Sequence, residues 1–269
     1  MEGYVQTNGI RMHYFTEGEG EPLVLLMGLG ADGHTWAPHI EAYKNDFCCI
    51  AVDNRGAGLS DKPAEVAYTT RQMAKDTIDL LDSLGIEKAH FHGISMGGAI
   101  AQWIAIDYPE RVKSVILTST QAAASVGYRR GIELLRDTKG QLPAETSARL
   151  LNWIIYANTY QDAHEEVLLE KEAAVDPNPM PVHAFIAQCN ACITHNTLDH
   201  LSEIKAPVLI AAGEDDQLAD SICTKALSAG IPHAEVYICP EGGHVHHWED
   251  LETFNQVTLE FLKKHKEKA

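Results

Sequence analysis

The sequence has 269 residues, 45% of them hydrophobic and 22% charged, with a net charge of −17. That length permits one large domain, or a domain carrying an inserted lobe, with a sizeable core. Such acidity excludes nucleic acid or an anionic membrane as the main partner, because either needs a basic face.

The opening residues lack a basic stretch followed by an apolar run, and no segment approaches the roughly 20 apolar residues of a membrane span. The expectation is a cytoplasmic protein. Of the six cysteines, Cys48 and Cys49 fall in a predicted buried strand, where thiols behave as small apolar groups. Cys189-x-x-Cys192 has no second pair to complete a zinc site. Free thiols are expected, with neither a metal nor a cofactor.

Residues 4–7 and 10–16 read as a hairpin about Asn8-Gly9. Pro22 to Met27 is an apolar run of the kind found in strands covered on both faces, and it ends in Gly28-Leu29-Gly30. A helix is predicted over 35–43, with Trp36 and Ile40 on one side. Phe47 to Val52 is the next strand, closed by Asp53-Asn54-Arg55-Gly56-Ala57-Gly58-Leu59-Ser60. Its glycines continue into neither G-x-G-x-x-G nor a lysine-ending phosphate loop, so a structural turn is expected. Thr70 to Leu84 is amphipathic at helical spacing, with Gly85 beyond its end.

A predicted strand over 88–92 and a predicted helix over 99–108 then flank Gly93-Ile94-Ser95-Met96-Gly97, a G-x-S-x-G. A serine between strand and helix occupies a tight turn that tolerates little bulk. That turn lifts the hydroxyl clear of the sheet, and the new helix offers unpaired N–H groups to a negative charge. Ser95 is therefore the candidate nucleophile.

Arg111 to Leu117 is another strand. From Gln121 to Lys205 the rhythm changes to helical patterns at 128–136, 145–158 and 163–174, with a proline-rich break at 176–181. Segment 121–205 reads as a helical lobe inserted into a core formed by 1–120 and 206–269. Strands resume at 207–212 and 234–238, and a helix with a lysine-rich end closes the chain over 251–264. This alternation implies a mostly parallel sheet with helices on both faces, and ligands bind beyond the carboxyl ends of its strands.

A serine hydroxyl needs a histidine to take its proton and an acid to orient that histidine. Asp216 follows Gly213 at a strand end, with Glu214, Asp215 and Asp220 as rivals. His244 follows the last strand after two glycines, with His246 and His247 as rivals. No acidic or cysteine residue is spaced to make a metal site of the His-x-His-His run. The order Ser95, Asp216, His244 is serine, acid, base, as in the α/β-hydrolase arrangement.

On these pieces, with Asp53-x-Arg55-Gly56-x-Gly58-x-Ser60 and Gly93-x-Ser95-Met96-Gly97-Gly98, nearly the whole chain resembles the α/β-hydrolase superfamily. The likeness is greatest to the cap-bearing group of enol-lactonases, carboxylesterases, cofactor-free perhydrolases and carbon–carbon bond hydrolases. It implies an α/β-hydrolase fold with an inserted helical cap. Ser95 would be nucleophile, His244 base and Asp216 acid, with the Leu29 and Met96 N–H groups as oxyanion hole. Two departures stand out. Met27-Gly28 replaces the common His-Gly, removing a supporting hydrogen bond, and Gln217 follows the acid where a proline is common.

The function expected is hydrolysis of small carboxylic esters or lactones, with Gly28, His34, Trp153, Tyr156 and Phe185 as candidate substrate contacts. Carbon–carbon cleavage of a β-diketone-type substrate, perhydrolysis and a non-enzymatic ligand-binding role are the alternatives. The only partner implied is the small-molecule substrate. Nothing in the sequence fixes the oligomeric state, and a homodimer stays open.

Overall fold

In the computed structural model, which describes residues 1–64, 67–174 and 179–267, the chain opens with strands β1 (Glu2–Thr7) and β2 (Ile10–Glu17). Asn8 and Gly9 join them with φ of 31° and 81°, the left-handed pair that a two-residue hairpin turn requires. Then come β3 (Glu21–Leu26), β4 (Phe47–Val52), β5 (Ala89–Ile94), β6 (Val112–Thr118), β7 (Val208–Gly213) and β8 (Glu235–Cys239). They form one sheet in the order β1-β2-β4-β3-β5-β6-β7-β8. β2 runs antiparallel to its neighbours β1 and β4, and β3 to β8 are parallel to one another.

The central strands are unbroken apolar runs because helices cover both faces. Leu23, Val24, Leu25 and Leu26 are all fully buried. With the two-residue period of a strand, Val24 and Leu26 enter one core cluster and Leu23 and Leu25 the other. Helices α2 (Thr70–Ser83) and α3 (Met96–Asp107) build the first cluster through Met73, Ile78, Ile100 and Ile104. On the opposite face lies α1 (Ala37–Tyr43), packed with the chain's closing helix through Trp36, Ile40 and Phe261. The predicted helix over 35–43 starts as a 3-10 turn, Gly33–Trp36, and becomes α-helical only where a proline stands in its first turn, a position that needs no N–H.

Between β6 and β7 come α4 (Val126–Thr138), α5 (Ala144–Ile155), α6 (Asn158–Ala163), α7 (Glu165–Ala173) and α8 (Val182–Thr194). The predicted helix over 145–158 stops at Ile155, and α6 is separate. Residues 176–178 of the expected proline-rich break lie outside the described residues. The segments leaving and rejoining the sheet run side by side: Ala123 pairs with Asn196, and Thr197 N–H donates to Ala122 O at 2.7 Å. After β7 and β8 come α9 (Ser221–Gly230), α10 (His246–Glu249) and α11 (Leu251–Lys264). Among the described residues no helix is long and apolar enough to cross a membrane.

The Asp53 turn is structural, as expected. Asp53 accepts from the Gly33 and Leu59 N–H groups, each at 2.7 Å. Arg55 makes a two-pronged contact with buried Asp76 at 2.9 and 2.8 Å.

Candidate active site

Ser95 sits between β5 and α3 with φ 55° and ψ −115°, a strained conformation for a residue bearing a Cβ and one found preferentially at functional sites. Its neighbours explain how the turn closes. A Cβ at Gly93 would run into the Gly97 carbonyl, and one at Gly97 into the Leu26 carbonyl. The Ser95 N–H donates to Thr118 O at 2.8 Å, and the Thr120 hydroxyl donates to Ser95 O at 2.7 Å. Backbone strain is thus held by β6, an anchor that the local motif does not reveal.

The loops after β7 and β8 bring Asp216 and His244 to this serine. His244 Nε2 lies 3.0 Å from Ser95 Oγ, and Nδ1 lies 2.9 Å from Asp216 Oδ2. All three residues are buried, at 7% exposure or less. Asp216 Oδ1 also accepts from the Leu218 and Ala219 N–H groups, each at 2.8 Å. Burial pushes the Asp216 pKa up, but the His244 charge and hydrogen bond, with these two N–H groups, outweigh it and leave the pKa lowered. The carboxylate is therefore held ionised beside the imidazole.

The rival residues have other positions. Glu214 and Asp215 are exposed, and Asp220 caps α9 by accepting from the Ile222 and Cys223 N–H groups. His246 and His247 lie buried against Phe254. Among the described residues no group of three or more His, Cys, Asp or Glu side chains is arranged to hold a metal ion.

Gly28 lies beside Ser95: a Cβ there would stand 3.2 Å from Ser95 Cβ and 3.8 Å from Oγ. Leu29 forms the corner of a turn in which Ala31 N–H donates to Gly28 O at 3.4 Å. Met96 opens α3, so its N–H has no partner within the helix. At the Met27-Gly28 step, buried Asn54 donates through Nδ2 to Met27 O at 2.9 Å.

Of the remaining candidate contacts, Phe185 is brought closest, its ring 3.1 Å from where a Gly30 Cβ would lie. Three others have different surroundings. His34 is exposed, with its ring stacked on Phe15 at 4.8 Å, in a strand three positions along the sheet from β5. Trp153 is 55% exposed on the outer side of α5. Tyr156 is buried with Leu168 and Val245, and its hydroxyl accepts from Lys171 at 2.8 Å; it is a packing residue.

Sequence reasoning also missed Glu249. One of its oxygens accepts from the Gly243 N–H and the other from the Ala157 N–H, both at 2.7 Å, so it ties the His244 loop to the end of α5. Burial raises its pKa.

Residues 21–251 match the family model of the alpha/beta hydrolase fold. Over 263 residues the chain is 30% identical to a Caulobacter vibrioides protein provisionally assigned as the carbamate hydrolase RutD, covering 94% of this chain and 95% of that one. It is 30% identical over 268 residues to the 2-hydroxy-6-oxo-6-phenylhexa-2,4-dienoate hydrolase of Burkholderia cepacia, covering 95% and 92%. Among solved structures, the enol-lactonase from Burkholderia xenovorans LB400 superposes with a TM-score of 0.85 at 26% identity, covering 97% of this chain and 100% of that one.

Proposed function

The chain belongs to the α/β-hydrolase family, and from that premise we propose that it is a serine hydrolase of small carboxylic esters or lactones. The observation that carries this reading is the hydrogen-bonded line from Ser95 Oγ through His244 to Asp216, at 3.0 and 2.9 Å.

In the proposed reaction Ser95 Oγ attacks the substrate carbonyl carbon while its proton passes to His244 Nε2. Asp216 stabilises the imidazolium. The oxyanion is held by the Leu29 and Met96 N–H groups, each such donor being worth about 10²–10³ in rate. His244 then protonates the leaving alkoxide, which departs as the alcohol. Water enters, gives its proton to His244, and attacks the acyl-enzyme. The carboxylic acid leaves and the proton returns to Ser95. No cofactor is needed for these steps. Segment 121–205 is the proposed cap, and its α8 supports that role, since Phe185 lies against the Gly28–Gly30 turn.

Carbon–carbon bond hydrolysis is the second reading, favoured by the 30% identity to the Burkholderia cepacia hydrolase. It uses the same serine but requires a proton delivered to carbon. The likeness to an enol-lactonase at 26% identity favours the lactone reading.

The test is intact mass after treatment with a fluorophosphonate, on the parent and on Ser95→Ala, together with turnover of short aryl esters, lactones and a β-diketone. One adduct on the parent and none on Ser95→Ala, with ester or lactone turnover lost in parallel, is the expected result. A folded parent that takes no adduct overturns the serine mechanism. Turnover of the diketone alone moves the second reading to the front.

A further inference from the structure

The Leu29 N–H can hold an oxyanion only if the turn carrying it keeps its shape, and that turn is short, glycine-rich and partly exposed. Gly30 takes φ 79°, and the single hydrogen bond across the turn is a long one, Ala31 N–H to Gly28 O at 3.4 Å. Two carboxamides grip its ends. Asn54 fixes the entry through Met27 O. At the exit, Gln188 Oε1 accepts from the Gly30 N–H at 2.9 Å.

Gln188 stands on α8, far from the turn in sequence, and is fully buried. Its Nε2 donates to Arg55 O at 2.8 Å. Each end of the amide therefore has a matching backbone partner, and a flipped amide would set donor against donor and acceptor against acceptor. The far anchor is firm, because Arg55 is itself clamped to Asp76. No acceptor among the described residues takes the Leu29 N–H.

We propose that Gln188 is a positioning residue, which fixes the Leu29 N–H for the oxyanion and completes the hole only when α8 is seated on the core. This rests on the serine-hydrolase reading above. A buried glutamine that merely fills its hydrogen bonds would affect folding alone. A positioning residue affects an interaction made in the transition state, so kcat and kcat/KM fall together while KM holds. Displacement of a reacting group by about 1 Å costs on the order of 10² in rate.

The experiment compares 4-nitrophenyl acetate turnover, fluorophosphonate labelling rate and urea stability in the parent, Ser95→Ala, Gln188→Leu, Gln188→Glu and Glu172→Gln. The last loosens Arg149 and Asn152 packing between α5 and α7 without touching the turn. Gln188→Leu is expected to lose about 10- to 100-fold in kcat and in labelling rate, with KM within about threefold, while Glu172→Gln keeps its kcat. Gln188→Glu separates the roles further. Its protonated carboxyl can both accept from Gly30 and donate to Arg55 O, whereas its carboxylate repels that carbonyl. Its kcat should therefore fall as pH rises through a limb that the parent lacks.

A Gln188→Leu protein that loses stability but keeps kcat overturns the proposal, as does a Gln188→Glu profile that superposes on the parent's. Ser95→Ala that still turns over overturns the underlying reading instead.

Discussion

His244 and the group His39, His92, His246 and His247 are all buried, yet they are built for opposite behaviour. His244 has a carboxylate on one ring nitrogen and a hydroxyl on the other, so a proton gained at Nε2 meets a charge that stabilises it. Among the described residues no carboxylate is hydrogen-bonded to a ring of the group, and His92 Nε2 meets only the Thr118 hydroxyl, at 3.1 Å. His39 Nδ1 lies 2.6 Å from the Asn255 carboxamide oxygen, and its Nε2 lies 3.1 Å from His247 Nδ1, a chain that suits neutral rings. Trp36 stands 4.8 Å from His92 and Phe254 5.4 Å from His246. Burial pushes His39 and His246 down to about 4, and His92 and His247 well below the ordinary range. Burial is the main cause in all four, and among the described residues no carboxylate is hydrogen-bonded to their rings to offset it.

Removing the carboxylate is the largest way to break that contrast. In Asp216→Asn the carboxamide oxygen should stay where the Leu218 and Ala219 N–H groups donate, turning the NH₂ toward His244 Nδ1. That nitrogen must then become an acceptor, which puts the ring proton on Nε2, facing Ser95. The base is blocked although the fold is intact, and kcat should fall about 10⁴-fold. Stopped-flow acylation with an aryl ester measures it; a loss under tenfold would show that the acid is dispensable.

Acid tests the other side of the comparison. For His39 and His246 the folded pKa near 4 lies below the ordinary 6.5, so the unfolded chain binds more protons between these values. Their contribution is fully present above pH 6.5 and is lost as pH falls toward 4, on the order of 3 kcal/mol each. His195, lowered by burial to about 3, acts in the same direction. Asp216 cannot account for a loss in that window, since its lowered pKa keeps its contribution until the pH falls below the ordinary carboxylate value of 3.8. Urea midpoints that drop steeply from pH 7 to pH 5 are expected, and a flat profile would mean that the buried rings find acceptors that stabilise their protonated form.

How much of this could be read from the sequence depends on the range of the contacts. The Ser95 turn is local, five residues between a strand and a helix, and the parallel sheet announces itself in runs such as Leu23 to Leu26. Asp216 and His244 stood out because glycines mark the ends of their strands. Asn54, Gln188 and Glu249 were not legible, because each acts on a backbone atom distant in sequence that no periodicity points to. The exposure of Trp153 was not legible for a related reason. Helix α5 carries Leu150, Leu151, Trp153, Ile154 and Ile155 on several sides, so its pattern does not say which face is inward; Ile154 is buried and Trp153 is not.

The smallest expected effect sharpens the comparison most. His246 is fully buried, and among the described residues neither ring nitrogen makes a well-formed hydrogen bond, the Ala211 backbone giving only a weak one. Replacing this ring by an apolar side chain of similar size loses at most that weak bond and removes the desolvation of the ring nitrogens. His246→Leu should therefore stay within about 1 kcal/mol of the parent at pH 7.5, on either side. At pH 5 it should be the more stable protein, because one proton-binding site of the unfolded chain is gone. Urea unfolding at both pH values reads the two effects separately. A variant that loses several kcal/mol at pH 7.5 would place His246 in a hydrogen-bonded network beneath His244, and the contrast between the two kinds of histidine would then narrow to His39, His92 and His247.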